Sequence, residues 1–342
     1  MSGEYSATLQ ADQPLQRRYS RLVGRGTTAL YVALRAIAAC DGPGEIILPD
    51  LICSTVLDAV LLAGFAPRFA DVTPDRFTLD AEDVRRKIAS STRGVIVAHL
   101  FGNVMDTLSI KRQSVRIIED AVQGLGGWSA GQQVGTLGDI AFTSFHPTKM
   151  IPGYGGLVAT DDPVLWEAIQ GISLSDRVTP YAEGRYAHYQ RQLDATLPAL
   201  IRPFDDDEDN IAQIRGGWAR LAENVAGRNA KARYLHDQLS TSTDLVLPEI
   251  RQGDAIWRYT FAAPSRAAAA WILRNLQSAG LSGSHLYPSL SDIFDADAHL
   301  YSASLAPRLV NLWVDDGTRL EDIDRTIDVI RRARAADRSG LK

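Results

Sequence analysis

Residues 27–39 (TTALYVALRAIAA) place apolar side chains at helical spacing, rich in Ala and Leu, and predict a helix. Up to about residue 160, such segments alternate with short uninterrupted apolar runs. Residues 45–48 read as a buried strand stopped by Pro49, 54–63 as a helix, and 68–71 as a strand. Residues 79–89 read as a helix with Asp80 as its N-cap. Residues 94–99 (GVIVAH) and 115–118 (VRII) are apolar runs with polar flanks, and 140–144 and 157–159 follow as shorter strands. Strands apolar on both faces are buried on both faces, so the pattern predicts an α/β fold with a mostly parallel sheet covered by helices. Such sheets bind ligands beyond the carboxyl ends of their strands, and the candidate chemistry is sought there.

The second half is less regular. Residues 202–210 (RPFDDDEDN) read as an acidic, solvated turn and 211–239 as one long helix. Residues 256–262 read as a strand and 265–279 as a helix closed by Gly280. A strand over 309–314 and a closing helix over 320–335 follow, with a frayed basic end. This tail predicts a smaller α+β domain. The expected organisation is an N-terminal arm (1–23), a large domain (24–235) and a small C-terminal domain (236–342), with the boundary inside the long helix.

Composition narrows the function. The 342 residues hold 36 Lys+Arg against 41 Asp+Glu, a net charge of -5, so no basic excess exists to grip nucleic acid. The 45% hydrophobic content excludes a disordered chain. Two cysteines, Cys40 and Cys53, exclude a disulfide framework and point to a reducing compartment. The most apolar stretch, 56–65, is short and contains Asp58, and residues 1–13 lack the layout of a signal peptide. The expectation is a cytoplasmic protein with small-molecule partners and no nucleic-acid or membrane partner.

Three segments carry candidate chemistry. Gly24-Arg25-Gly26-Thr27-Thr28 opens a helix, whose free N–H groups and dipole favour an anion; a plain glycine turn with a Thr cap is the alternative. Asp120 directly follows the 115–118 strand and has the chemistry to hold a protonated heterocyclic nitrogen; a capping Asp is the alternative. Gln123, one helical turn on, could donate to a ring oxygen. Ser144-Phe145-His146-Pro147-Thr148-Lys149 leaves the 140–144 strand toward the same sheet edge, ahead of Gly153 and Gly155-Gly156. A lysine among apolar groups has a lowered pKa and forms Schiff bases, and Ser144 offers a hydroxyl to an anion. Lysine for an aldehyde, carboxylate for a ring nitrogen and helix tip for a phosphate together describe pyridoxal 5'-phosphate (PLP). His99 is a candidate for site contact or for a structural hydrogen bond, and His146 for substrate contact. His188, His236, His285 and His299 lack metal-ligand spacing, so no metal site is expected. Cys40 reads as core, and the Trp residues are scattered without evident role.

The run from Ile117 to Asp162 (IIEDAVQGLGGWSAGQQVGTLGDIAFTSFHPTKMIPGYGGLVATDD) resembles the centre of the DegT/DnrJ/EryC1/StrS family of PLP-dependent aminotransferases. GTTALYVALRA, LPDLICSTVLDAVLLAGFAPRFADV, HLFGNVMD and VNLWVDDGTRLEDIDRTIDVI resemble other parts of that family, so the likeness spans about 24–330. It implies fold-type I, with a large PLP domain, a small C-terminal α+β domain and active sites at a homodimer interface. Lys149 then matches the Schiff-base lysine, Asp120 the pyridine-nitrogen partner and Gln123 the amide near the ring oxygen. Ser144 matches a phosphate ligand, and Thr27 and Thr28 the residues whose amides cup the phosphate. The implied reaction moves an amino group from glutamate or glutamine to a keto acceptor, typically a keto sugar on a nucleotide. In that mechanism Lys149 and Asp120 are catalytic.

The sequence departs from the family in three places. Cys53 stands at a cofactor-binding position where many members stack an aromatic ring, and Tyr154 replaces an acid before the paired glycines. No Asn-x-Arg segment appears near 190–215, where RQLDATLPALIRPFDDDED stands instead. Lys149 argues against a dehydrating branch of the family that carries His there. Decarboxylation, carbon–carbon bond formation or elimination on a non-sugar substrate, and a non-catalytic scaffold, are the alternatives.

Overall fold

The computed structural model describes residues 14–110, 115–176, 178–189, 192–193, 199–294 and 300–338. Strand β1 (Tyr19–Val23) leads through Gly24 and Arg25 into helix α1 (Gly26–Asp41). β2 (Glu45–Pro49), α2 (Ser54–Leu62), β3 (Ala66–Ala70), α3 (Ala81–Lys87) and β4 (Thr92–Ala98) follow. Next come β5 (Arg116–Asp120), a hairpin of β6 (Trp128–Ser129) and β7 (Gln132–Gln133), β8 (Ile140–Phe145), β9 (Gly155–Thr160) and α4 (Pro163–Gly171).

Seven of these strands form one sheet in the order β1-β9-β8-β5-β4-β2-β3. The five from β8 to β3 are parallel, and β9 and β1 add antiparallel at one edge. The loop 146–154 is too short for a crossover, so β9 must turn back on β8. The uninterrupted apolar runs divide by alternation. Ile46, Leu48, Ile96 and Ile118 face the core shared with α1 and α2, while Ile47, Val95, Val97 and Ile117 face a second core with Val84 of α3. This is the α/β, mostly parallel architecture that the pattern predicts.

The second half begins with α5 (Glu208–Ala219) and α6 (Leu221–Leu239). It continues with β10 (Arg258–Ala262), α7 (Arg266–Ser278), β11 (Gly283–Ser284), α8 (Leu290–Ile293), α9 (Tyr301–Leu305), β12 (Leu309–Trp313) and α10 (Leu320–Arg338). An antiparallel sheet, ordered β10-β12-β11, builds its own core with α7, α10 and the end of α6. Leu221 at the start of α6 belongs to the core of the larger sheet, whereas Ala232, Leu235 and Leu239 belong to the smaller one. The helix thus carries the chain from one core to the other.

Four details differ from the expectations. The end of the expected arm is β1, an edge strand hydrogen-bonded to β9. The long helix over 211–239 is broken at Arg220 (φ -100, ψ 6) after Gly216-Gly217, a pair of poor helix formers. A side chain at Gly217 would press on Pro152 and Ile151, so close packing holds glycine there. The acidic turn is partly helix: Asp207 caps α5 by accepting from Asp209 N–H, and Glu208 and Asp209 sit in its first turn, where the dipole favours acids. The closing helix, expected over 320–335 with a frayed end, runs to Arg338.

The two sheets meet at the turn after β4. Ala255 and Trp257 donate to the carbonyls of Gly102 and Phe101 at 3.0 and 2.9 Å. Gly102 has φ +93, and any Cβ there would collide with the carbonyl of Ala255. A buried Arg76–Asp254 pair at 2.7 Å and a buried Asp50 accepting from the hydroxyls of Ser289 and Ser302 complete the junction. These contacts carry Trp257 and Tyr287 to the carboxyl edge of the large sheet.

Candidate active site

At that edge lies a cavity of about 500 Å³, a size suited to a cofactor or small ligand. Asp120 enters it as the last residue of β5, and Lys149 from the loop that follows β8. The loop is pinned: Lys149 N–H donates to His146 C=O at 2.8 Å, and Asn224 Nδ2 to Met150 C=O at 2.9 Å.

Among the described residues Lys149 Nζ has no hydrogen-bond acceptor; it lies 4.1 Å from the centre of the Trp257 ring. That indole is itself fixed, donating from Nε1 to Thr148 C=O at 2.6 Å. Burial pushes the ammonium's pKa down to about 8; Cys53 and Asp120 pull it upward and Arg258 adds to the lowering. Asp120 is buried, and one of its oxygens accepts from Val122 N–H at 3.0 Å. Its other oxygen has no partner among the described residues. Burial raises this carboxyl to about 6, against the opposing pull of Val122 N–H, Lys149 and His99.

Gln123 Oε1 accepts from Phe101 N–H at 2.8 Å, which turns Nε2 toward the Tyr287 hydroxyl at 3.0 Å. Tyr287 therefore accepts from Gln123 and keeps its own proton for a ligand. Burial raises its pKa, so the phenol stays protonated.

The opposite end of the cavity is the tip of α1. Its first helical bond runs from Ala29 N–H to Arg25 C=O, and Arg25 at the N-cap supplies no side-chain cap. The N–H groups of Gly26, Thr27 and Thr28 are thus left without helical acceptors. Ser144 lines the same space, and its hydroxyl has no partner among the described residues. A Cβ on Gly26 would lie 2.6 Å from Ser144 Cβ, so only glycine lets the helix tip rest on β8. Thr27 lines the cavity, but Thr28 turns away: its hydroxyl donates to Leu200 C=O at 2.8 Å and accepts from Arg202 N–H at 3.2 Å. Only the main-chain N–H of Thr28 remains for a ligand. Cys53 lines the wall at the start of α2, with Sγ 3.2 Å from Thr55 Oγ1.

The histidines separate. His99 is not in the cavity wall: its Nδ1 accepts from Met105 N–H at 3.1 Å, which leaves Nε2 to donate to Glu119 at 3.0 Å. Glu119 also accepts the N–H groups of Gly135, Leu137 and Gly138. Its carboxyl pKa is lowered because these donors outweigh burial, with the His99 hydrogen bond the largest of them. His146 does line the cavity, stacked edge-on against Tyr154 at 6.3 Å, and burial with Lys149 and Arg25 lowers its pKa. His299 lies outside the described residues. Two contributors went unrecognised in the sequence. Trp257, one of the scattered tryptophans, is the floor under Lys149. Tyr287 lies in an irregular segment with no periodic signal. The one available hint for Trp257 was its position at the mouth of the 256–262 strand.

Residues 13–331 of this chain match the family model of the DegT/DnrJ/EryC1/StrS aminotransferase family. This chain belongs to that family. It is similar to the UDP-N-acetyl-3-dehydro-alpha-D-glucosamine 3-aminotransferase of Acidithiobacillus ferrooxidans, with 29% identity over 322 residues, 90% of this chain and 82% of the relative. Its fold matches the sugar aminotransferase CalS13 from Micromonospora echinospora at TM-score 0.78 and 22% identity, covering 96% of this chain and 90% of that one. It also matches the E. coli GDP-4-keto-6-deoxy-D-mannose-3-dehydratase with bound hydrated PLP at TM-score 0.77 and 16% identity, covering 96% and 92%. The DegT/DnrJ/EryC1/StrS chain described here is an aminotransferase, as its central motifs imply.

Proposed function

We propose that this aminotransferase holds PLP in the 500 Å³ cavity and moves an amino group from glutamate or glutamine to a keto acceptor of the nucleotide-linked keto-sugar class. The observation that carries the reading is one cavity with three unspent groups: the Lys149 amine, the outer oxygen of Asp120, and the N–H groups of α1 beside the Ser144 hydroxyl. An aldehyde, a ring nitrogen and a phosphate are their chemical complements, so the residues fit this cofactor. When bound, it supplies a pyridinium ring that delocalises the electron pair left by loss of a substrate proton.

The chain's own groups do the rest. Lys149 would anchor the aldehyde with loss of water and, once released by the amino donor, would take the donor's Cα proton and deliver it to the former aldehyde carbon, the 1,3-shift that transamination needs; a pKa of about 8 suits both the taking and the giving near neutral pH. Asp120 keeps a proton on the ring nitrogen through a charge-assisted hydrogen bond. Tyr287 and the second N–H of Gln123 donate toward the ring oxygen. Leu30, Val56 and Phe142 keep water from that wall of the cavity. The acceptor class follows the relative from Acidithiobacillus ferrooxidans, whose name gives a nucleotide-linked keto sugar. A cytoplasmic homodimer is part of the same reading; no described helix is long and apolar enough to cross a membrane.

The test is a pair of half-reactions. The loaded enzyme should lose its yellow colour with glutamate or glutamine, releasing the keto acid, and regain it with a keto-sugar nucleotide. Lys149→Ala should lower turnover by at least about 10³-fold, the scale of losing an acid–base group and a covalent anchor together. Colour that never responds to any amino donor would contradict the reading.

A further inference from the structure

We propose that Arg202 is a cofactor-phosphate ligand, supplied by the same chain that supplies Lys149. The inference rests on the PLP reading above and adds to it the cation that the phosphate requires.

A phosphate monoester is close to a dianion at neutral pH. The groups assigned to it so far, the N–H groups of α1 and the Ser144 hydroxyl, are all neutral. Burying most of a dianion without a cation is costly. The arginines and lysine lining the cavity are Arg25, Arg202 and Lys149. Lys149 is at the ring end, over Trp257. Arg25 spends part of its guanidinium on Ala199 C=O at 3.2 Å. The Arg202 guanidinium has no hydrogen bond or ion pair to any described residue.

The main chain of Arg202 is fastened to the phosphate end. Gly24 N–H donates to Arg202 C=O at 2.9 Å, and Arg202 N–H donates to the Thr28 hydroxyl at 3.2 Å. That hydroxyl in turn donates to Leu200 C=O at 2.8 Å. A Cβ on Gly24 would lie 2.9 Å from Arg202 Cβ, so the arginine stem starts against the loop that opens α1. This explains why the Thr28 hydroxyl faces away from the cavity: it ties the arginine's backbone to the helix tip. The acids that follow leave the guanidinium alone. Asp207 caps α5, and Phe204 packs on Gly155. An arginine unclaimed by a neighbouring acidic run, rooted in the anion cup, is suited to a bidentate phosphate contact.

The test compares binding of PLP and of pyridoxal, which lacks the phosphate, to the full-length enzyme stripped of cofactor and reloaded. Arg202→Ala should weaken PLP binding about 10- to 100-fold, the range for a charged hydrogen bond, and leave pyridoxal binding unchanged. Arg202→Lys should recover part of the loss. Equal PLP affinity in Arg202→Ala and parent overturns the inference while the PLP reading stands. Equal losses for both ligands would mean a structural role and also overturn it. Intact PLP affinity with lost binding of a nucleoside diphosphate to the loaded enzyme would assign the arginine to the substrate and overturn it too. A parent protein that takes up neither ligand overturns both readings.

Discussion

Asp120 shows what the site costs. Its pKa, raised by burial to about 6, means that the folded protein binds this proton more tightly than the unfolded chain does. The penalty is therefore fully present above pH 6 and fades toward the ordinary value of 3.8. Asp120→Asn should stabilise the cofactor-free protein by up to about 3 kcal/mol at pH 8, shrinking as pH falls below 6, and should abolish transamination. Denaturant unfolding at several pH values checks this; a pH-independent difference would contradict it. Lys149 carries the opposite sign, since only its neutral amine attacks an aldehyde. The rate of cofactor capture should rise about tenfold per pH unit toward pH 8 and level off above it. A stopped-flow profile flat from pH 6 to 9 would oppose this. At this scale the sequence was informative where chemistry is local: Asp120 at the end of its strand, Ser144 near the end of β8 and Lys149 in the loop that follows it. It was silent on Trp257 and Tyr287, whose contacts with Lys149 and Gln123 join residues more than a hundred positions apart.

At the scale of elements, the site depends on how closely α1 approaches β8. Gly26→Ala would push Cβ against Ser144 and prise the helix tip from the strand that carries Ser144 and leads into the Lys149 loop. PLP affinity should fall by at least about tenfold, with the fold retained, since a core overpacked by one methyl costs roughly 1–3 kcal/mol. Equilibrium cofactor titration beside circular dichroism checks it. The elements most legible in the sequence were those whose pattern is self-sufficient: the buried parallel strands and α1, whose ends fell within two residues of the reading. Strand β1 (YSRLV) was missed because a polar edge strand owes its existence to its partner β9. Helix α4 was missed although Asp162-Pro163 marks its start, with Asp162 accepting from Val164 and Leu165 N–H. The break between α5 and α6 was missed because the glycine pair that loosens it lies in an otherwise helical run.

For the whole molecule, the candidate site is completed by the small sheet docking on the large one. The junction brings Trp257 beneath Lys149, and one of its ties is the Arg76–Asp254 pair, both side chains nearly inaccessible (4% and 1%). Asp254 also accepts from Val104 and Arg251 N–H, so one carboxylate joins three segments. Arg76→Ala leaves that carboxylate buried beside fewer donors and should destabilise the protein by about 3–5 kcal/mol. Thermal unfolding checks this, and an unchanged midpoint would argue that the junction is held elsewhere. The large and the small sheet were legible as two patterns, alternating strands and helices first, an α+β tail second. Their mutual orientation was not, because it rests on Gly102, Arg76 and Asp50, residues that carry no pattern of their own.

Convergence of these groups on one ring is read from diffraction by crystals of the PLP-loaded enzyme. Continuous density should run from Lys149 Nζ to the ring, with the ring nitrogen within hydrogen-bond distance of Asp120. The phosphate should rest on the N–H groups of Gly26 to Thr28 and the Ser144 hydroxyl. Density for the ring away from Asp120, or for the phosphate away from the tip of α1, would contradict it.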